Sequence, residues 1–437
     1  MLPVLTAEES ARIDAASPVP MTVLMRRAGV AAAHVAVTEY GVGYGTRVVV
    51  LAGPGNNGGD AYVVASVLAR RGAAVSLVPY GIPGSAASLH HAQRASGVSR
   101  LIRDAPDLVI DGVFGAGSRP GVPDDVSRWN ETDAPILALD LPSGLAADTG
   151  EAGEGTIRAD TTVAFHTLKP GHLLGDGPDH CGRVQVVDIG LSGGEPAYRL
   201  VTREDAPRPD RPRRSHKWSA GSVLVIGGSE GMVGAAVMAA RSALAFGAGA
   251  VGVATPDPGL AQQLAPEILA YPIDDLPARY GVWVVGPGLG AGRSDLVAHA
   301  HDRLAPTVID ADALGPDSRR ARHPDIVLTP HAGELKKMGG TETAATLLRK
   351  GNPTIIEGSG APWIVDTGGR ELATIGTGDV LAGMIGALLA RGLDGPAAAR
   401  SAAYWHGVAG RSLQQNAGYV TADALVAEAG RFAWAGS

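Results

Sequence analysis

The sequence predicts two consecutive α/β domains, each built on a parallel sheet, and three observations carry that expectation. The chain has 437 residues, too long for one ordinary core and suited to two or three domains. Short, unalternating Val/Ile/Leu runs recur along it between helical stretches, the signature of parallel strands buried on both faces. Glycine numbers 61, about twice average usage for this length. The excess is not repetitive, so it points to tight turns and close backbone approaches.

In the first half, Arg47–Leu51 is a branched run expected as a strand, followed by a glycine-rich loop over Gly53–Asp60. A helix is expected over Ala61–Arg71, stopped at Gly72. Further strands are expected at Leu108–Asp111, Ile136–Asp140 and Val184–Asp188. Each ends in an acid at the edge where open α/β sheets bind ligands. The stretch Leu191–Lys217 carries Gly193, Gly194, Pro196, Pro207, Pro209 and Pro212, which gives a boundary: domains over 1–191 and 215–437, linker over 192–214. The linker arginines Arg208, Arg211, Arg213 and Arg214 either clamp an anion or are simply solvated. In the second half, Val223–Ile226 leads into Gly227-Gly228-Ser229 and a helix over Val233–Phe246. Strands follow at Val282–Val285, Val308–Asp310, Ile326–Leu328 and Thr354–Ile356, and a helix runs from near Gly378 to Arg391, ending at Gly392.

Hydrophobic residues make up 45% and charged residues 19% of the chain, a soluble globular balance. A formal charge of −7 offers no basic field for a phosphate backbone, so nucleic acid is excluded as a partner. The single Cys181 rules out an intramolecular disulfide and fits a reducing compartment. Met1–Ala15 holds Glu8, Glu9 and Asp14 with no apolar run, so no signal peptide is expected. Val233–Ala254 is weakly polar but contains Arg241 and several glycines, which favours a buried helix, a turn and a strand over a membrane span. A cytoplasmic chain without a membrane partner is expected, and a homo-oligomer.

Gly53–Asp60 places four glycines and two asparagines between strand and helix. Backbone N–H groups in such a loop, backed by a helix N-terminus, cradle phosphate or pyrophosphate. The asparagine amides suit a hard cation or sugar hydroxyls. Asp111–Gly117 and Asp140–Gly144 each follow a strand and add carboxylates and a hydroxyl to the same edge. Lys169-Pro170-Gly171 either faces that site or is a surface turn.

In this order and spacing, GNNGGD (Gly55–Asp60), DGVFGAG (Asp111–Gly117), DLPSGL (Asp140–Leu145) and FHTLKPG (Phe165–Gly171) resemble the NAD(P)H-hydrate epimerase domain. The match covers about 1–190 and includes the helix around Leu24-Met25 and Ala28-Gly29. The resemblance implies a Rossmann-like domain in which Asn56, Asn57, Gly58, Gly59 and Asp60 contact the hydrated nucleotide. Gly115, Ala116, Gly117, Ser118, Arg119, Pro120 and Gly121 would contact it too. It also implies potassium held by Asn57, Asp111 and Ser143, and Asp140 as the catalytic residue at the reacting end. Epimerisation at C6 of the dihydropyridine moves a hydroxyl on and off or opens and closes the ring, and a nearby carboxylate can shuttle that proton. The family usually has glycine where this chain has Ala61; the methyl group either crowds the phosphate or stiffens the helix start.

Gly376-Thr377-Gly378-Asp379 opens a long apolar helix in the second half. Consecutive amides at a helix start form an anion hole for a phosphoryl group in transfer. Asp379 then either takes the proton of an attacking hydroxyl or is a first-turn acid favouring the dipole. The pattern resembles the ribokinase-like superfamily. Gly286–Gly290, Asp310–Leu314 and Thr329–Glu334 each follow an expected strand and project from one edge. His331 is a core histidine or a substrate contact, and Asp310 and Asp312 orient Mg²⁺ through water or cap the turn.

His216-Lys217, GGSEGMVGAA (Gly227–Ala236), Ala265–Glu267 and the loops just named together resemble the ADP/ATP-dependent NAD(P)H-hydrate dehydratase from about Ser215 to Arg431. The resemblance implies that Ala235, Gly290, His331 and Asp379 contact the hydrate. It places Gly376, Thr377 and Gly378 at the adenine nucleotide and Asp379 as catalytic base. ADP or ATP with Mg²⁺ would phosphorylate the ring hydroxyl, and phosphate loss would regenerate the dihydronicotinamide of NADH or NADPH. Glu334 and Asp379 stand closer in sequence than the family usually has them, as if a helix were trimmed. A lysine-glycine loop that holds nucleotide phosphates is expected after the Thr354–Ile356 strand, and here it reads Glu357-Gly358, with an acid in the lysine position. Two other readings stand beside this one. The second half is a ribokinase-like kinase for a small vitamin precursor, or the first half is a non-catalytic ligand-sensing module.

Overall fold

The computed structural model describes residues 1–102, 105–117, 119–210 and 213–434. The chain divides into two compact units, Leu2–Tyr198 and Arg199–Ser437, the latter together with Met1.

The first unit holds strands β1 (Leu2–Val4), β2 (Arg47–Ala52), β3 (Ala74–Pro79), β4 (Leu108–Gly112), β5 (Ile136–Leu139), β6 (Thr161–Phe165) and β7 (Arg183–Val187). Its helices are α1 (Ala7–Ala16), α2 (Met21–Tyr40), α3 (Asn56–Arg70) and α4 (Ala86–Arg94), with the short α5 (Asp124–Ser127) and α6 (Gly177–Cys181). Six strands form a sheet in the order β3-β2-β4-β5-β6-β7, parallel throughout. β4, β5 and β6 are buried along their whole length, as the unalternating runs require. Order reverses at β2, which has β3 on one side and β4 on the other. The connections after β2 and β4 therefore part there, which opens a crevice at the carboxyl edge. α2 lies on α3 because Gly29 has no side chain: a Cβ there would fall 2.5 Å from Val63 Cβ.

The second unit runs β8 (Tyr198–Leu200), β9 (Ser222–Ile226), β10 (Ala250–Thr255), β11 (Leu269–Pro272), β12 (Val282–Val285), β13 (Thr307–Ile309), β14 (Ile326–Leu328), β15 (Thr346–Arg349), β16 (Thr354–Glu357) and β17 (Trp363–Val365). Helices α7 (Val233–Ala245), α8 (Pro258–Leu264), α9 (Ser294–Asp302), α10 (Ala332–Met338), α11 (Thr377–Ala390), α12 (Gly395–Ala417) and α13 (Ala422–Trp434) cover the sheet. Strand order is β8-β17-β16-β15-β14-β13-β12-β9-β10-β11. From β11 to β15 every pairing is parallel, whereas β16 runs against β15 and β17 against β16. That reversal decides which loops share an edge. α11 buries Val380, Leu381, Met384, Ile385, Leu388 and Leu389, each worth about 1.5–3 kcal/mol of apolar burial. Its Gly383 lies so close to α7 that a Cβ would sit 2.1 Å from the Ala239 carbonyl oxygen.

Within 192–214, read from sequence as a linker, Tyr198–Leu200 is a strand and Arg203–Asp205 a helical turn. No helix among the described residues is long and apolar enough to cross a membrane.

Candidate active sites

The glycine-rich stretch after β2 is not a loop down to Asp60: α3 already begins at Asn56, with Gly55 as N-cap. Two close approaches allow this. A Cβ on Gly53 would lie 1.8 Å from the Val113 carbonyl oxygen, and one on Gly58 would lie 1.8 Å from the Gly53 carbonyl oxygen. Gly59 faces Met25, with a Cβ position 2.3 Å from Sδ. Gly58 and Gly59 are thus required by packing, and neither lines the cavity above the helix. Ala61 is fully buried in the core, its methyl against Gly112 of β4, so it does not crowd the crevice.

A cavity of about 470 Å³ opens above this helix start, lined by Asn56, Asn57, Asp60, Gly115, Ala116, Gly117 and Asp140 among the residues expected from sequence. Arg119, Pro120 and Gly121 stand outside that lining. Gly121 instead donates its N–H to the Gly144 carbonyl at 2.8 Å and packs against Gly153. Ser118 lies outside the described residues. Lys169 and His166, from the Phe165–Gly171 stretch that the sequence allows as either site-facing or a surface turn, line the cavity, and so does Asp14 of α1, which no local pattern announces.

Asp140 follows β5 with φ +63°, a left-handed conformation that a non-glycine residue holds only under constraint. The constraint is visible. Lys169 Nζ donates to Asp140 Oδ1 at 2.6 Å and to the carbonyls of Phe165 (3.1 Å) and Thr167 (3.3 Å), so all three ammonium donors are used. The Lys169 amide donates to His172 Nδ1 at 2.9 Å, which leaves the ring proton on Nε2 to donate to the Asp140 carbonyl at 2.7 Å. Burial holds His172 neutral, down to about 4.

The carboxyls of this cavity differ sharply in acidity. Burial would raise Asp140, but the charge and hydrogen bond of Lys169 outweigh it and hold the group below the usual range. Asp60 is pushed well up, first by burial and then by Asp140 and Asp14. Asp14 moves the same way for the same first cause. Beneath the cavity, buried Asp111 accepts from Ser143 N (2.7 Å), Ser143 Oγ (2.6 Å) and Val113 N (3.2 Å). Asn57 Nδ2 donates to the carbonyls of Leu139 (2.9 Å) and Phe114 (3.0 Å). Its Oδ1 is buried with no hydrogen-bond partner.

In the second unit the loops after β9, β12, β13, β14 and β15 meet at the carboxyl edge. Gly286 has φ +123°, and a Cβ there would overlap the Asp310 carbonyl oxygen at 1.7 Å. Asp310 Oδ1 accepts from Thr329 Oγ1 and from Lys350 Nζ, both at 2.7 Å. Glu334 Oε2 stands 3.7 Å from the same ammonium. Gly290, at φ +72°, donates its N–H to Asp312 Oδ2 at 2.9 Å. His331 caps α10, its Nδ1 accepting from Gly333 N (3.0 Å) and Glu334 N (3.3 Å), so it is an exposed capping residue rather than a core histidine. Ala235 sits in the first turns of α7 beside Gly288.

Gly376, at φ +88°, turns the chain into α11. A Cβ on Gly378 would come 3.6 Å from Lys350 Nζ, which puts the ammonium against the helix start. Asp379, in the first turn, is raised to about 7 by burial first, then by Asp310 and Asp312, with Lys350 pulling the other way. Lys350 itself is raised: burial lowers it, but Asp310, Glu334 and Asp379 more than offset that.

One sequence expectation needs correction. Glu357 ends β16 and Gly358 follows it; β16 runs antiparallel to β15, so both lie at the edge opposite the carboxyl-edge loops. Glu357 pairs there with Arg349 at 3.1 Å. Lys350-Gly351 directly follows β15, which is parallel to β14 and ends at the correct edge. The lysine-glycine pair is thus present one strand earlier than expected.

The molecule is a Rossmann-like unit followed by a ribokinase-like unit, each opening a glycine-led helix beside an aspartate at the carboxyl edge. A family model described as "YjeF-related protein N-terminus" matches 21–171, and one described as "NAD(P)H-hydrate dehydratase" matches 223–430. The bifunctional NAD(P)H-hydrate repair enzyme of Mycobacterium tuberculosis is 39% identical over 394 residues, 81% of each chain. That of Escherichia coli is 34% identical over 439 residues, covering 88% of this chain and 84% of the relative. A solved ADP/ATP-dependent NAD(P)H-hydrate dehydratase from Bacillus subtilis, co-crystallised with ATP/Mg²⁺, is 28% identical with a TM-score of 0.50, covering 54% of this chain and 98% of that one. This chain belongs to the family of bifunctional NAD(P)H-hydrate repair enzymes.

Proposed function

We propose that the first unit interconverts the R and S hydrates of NADH and NADPH, and that the second dehydrates the S form with ADP or ATP. The observation that carries the reading is a matched pair. Each unit sets an aspartate beside a lysine at the carboxyl edge of its sheet, Asp140 with the buried Lys169 at 2.6 Å and Asp379 by the pair of half-buried Lys350 with Asp310.

In the first unit Lys169 holds Asp140 below the usual carboxyl range while burial pushes Asp60 well above it, and two carboxyls pushed apart make a base and an acid. Asp60 protonates the departing C6 hydroxyl while the ring nitrogen lone pair forms the C=N bond. Water returns from the other face as Asp140 takes its proton. The free amides at the start of α3 bind the nucleotide phosphates. Potassium fits Asn57, Asp111 and Ser143: the unpartnered Asn57 Oδ1, a carboxylate and a hydroxyl are the oxygen donors a hard cation takes. Bound there, it would tie the loop at Phe114 to Ser143, whose Oγ accepts from Phe114 N at 2.9 Å.

In the second unit Asp379 takes the proton of the ring hydroxyl as its oxygen attacks the terminal phosphate. The amides of Gly376, Thr377 and Gly378, with Lys350, hold the transferred phosphoryl oxygens. Asp310 and Asp312 suit Mg²⁺ bound through water, since this ion keeps several waters and few carboxylates. Gly290, His331 and Ala235 border the hydrate. The ring nitrogen lone pair then expels phosphate to give a C6 iminium, and loss of a C5 proton to the departing phosphate forms the C5=C6 double bond and returns the pair to nitrogen, restoring the dihydronicotinamide. The chain acts in the cytoplasm, on small molecules.

Supplying purified protein with R and S hydrates, with ADP or ATP, and following return of the dihydronicotinamide absorbance tests the whole reading. Recovery of both forms is expected. Recovery of neither, with either donor, refutes it.

A further inference from the structure

The glycine turn that the reversal of β16 carries away from the catalytic edge lines a separate cavity of about 230 Å³, formed by Arg199, Ile356, Glu357, Gly358, Ser359, Trp363, Asp394, Pro396 and Arg400. Two guanidiniums share one ring in it: Arg400 Cζ lies 4.4 Å and Arg199 Cζ 5.4 Å from the centroid of Trp363. The Nε of each is buried and has no hydrogen-bond partner. Neither arginine forms an ion pair among the described residues. Two carboxylates also line the cavity. Glu357 pairs with Arg349 at 3.1 Å, and Asp394 Oδ1 accepts from Ala397 N at 2.8 Å as the cap of α12.

Two like charges held half-buried against one indole repel each other; Asp394 and Asp205 offset this on Arg400 only through space, with no direct ion pair, and an anion bridging both guanidiniums would remove the rest of the cost. Stacked guanidiniums are pre-organised forks for planar or tetrahedral oxyanions. Gly358-Ser359-Gly360 adds a hydroxyl and a turn with Gly360 at φ +80°, whose Cβ position is 3.8 Å from an Arg199 terminal nitrogen. We propose that this cavity is a second, non-catalytic binding site for a small phosphate-bearing ligand, clamped between Arg199 and Arg400 on Trp363. Its volume admits a phosphate or pyrophosphate group, and it opens at the sheet edge opposite Asp379. Its occupancy would therefore not compete with nucleotide bound for phosphoryl transfer.

The test titrates pyrophosphate by calorimetry, at fixed ionic strength, into the full chain, R199Q/R400Q and K350Q. Wild type and K350Q are expected to share one binding event that R199Q/R400Q loses, with its Kd raised at least about tenfold, or 1.4 kcal/mol. Both repair activities should stay unchanged in R199Q/R400Q. If that variant fails to fold, R400K keeps the charge but not the fork and should weaken the same event. An event equally strong in R199Q/R400Q, or in R400K if that variant replaces it, overturns the proposal. So does an event lost only in K350Q. A shift in oligomeric state of R199Q/R400Q by light scattering, with no change in pyrophosphate binding, would assign the pair to a second copy of the chain and also overturn it.

Discussion

Replacing Asp379 with asparagine should abolish the second activity and yet stabilise the second unit in mild alkali. The carboxyl lies at about 7 in the folded chain against 3.8 for the free group, because burial and then Asp310 and Asp312 disfavour its charge. Between those values the native state binds more protons than the unfolded one, so stability falls as pH rises through that window. At ~1.36 kcal/mol per pH unit, the gap sets a ceiling of roughly 4 kcal/mol. Relaxation of the neighbours in the charged state brings the expected gain from the neutral amide to about 1–2 kcal/mol. For a unit of this size that is a rise of about 3–6 °C in Tm. Calorimetry on full-length wild type and D379N, at about pH 8 and about pH 5, reads it directly, since at the lower pH, only a little above the free value, the gain should shrink to roughly a third. The transition of the second unit is marked by its shift with ADP. Dehydration should fall by about 10²–10⁴ with loss of the base. An unchanged or lower Tm for D379N at the higher pH, or an equal gain at both, would refute the reasoning.

Lys169→Met should cost about 3–5 kcal/mol in urea unfolding near neutrality, because it strands the charge of Asp140 in a buried site. The loss should shrink as pH falls and Asp140 protonates. Gly58→Ala forces a methyl onto the Gly53 carbonyl oxygen; a loss of about 3 kcal/mol and of epimerisation is expected, with dehydration intact in the separate assays. Asn57→Leu removes an oxygen from the potassium ligands, so epimerisation in potassium and in a bulky organic cation buffer should become equal. Lys350→Gln should raise the Kd for ADP at least about tenfold, whereas Glu357→Gln should leave it within about twofold, as calorimetry can show.

The strands and the two glycine-led helices were legible because their signals are local. Val282–Val285 and Ile326–Leu328 fall where the sequence puts them, since a short Val/Ile/Leu run closed by glycine or proline has few other uses. The start of α3 was not legible. Glycine at 58 and 59 argues against helix by propensity, and only the contacts with Gly53 and Met25 overrule it. β15 carries no alternation, and its value lies in delivering Lys350 to Asp310, forty residues away in sequence. Missing that strand shifted the lysine-glycine pair by one element and left Glu357 in its place. Asp14 enters the first cavity in the same way, through packing of a distant segment, whereas for Lys169 packing decides between the two places the sequence offered. For Asp140, sequence gave the position, but its left-handed backbone and the His172 hydrogen bond exist only in three dimensions.

The reversed hairpin β16–β17 has a bearing on how relatives of this chain are compared. A parallel ladder that kept going would commit each new turn to the chemistry beside Asp379. Turning back instead frees Glu357–Gly360 from that duty, so acids, insertions or deletions can accumulate at this tip while turnover survives. An alignment that pairs columns by motif alone would mistake such drift for a dead enzyme. Pairing them by strand direction would not.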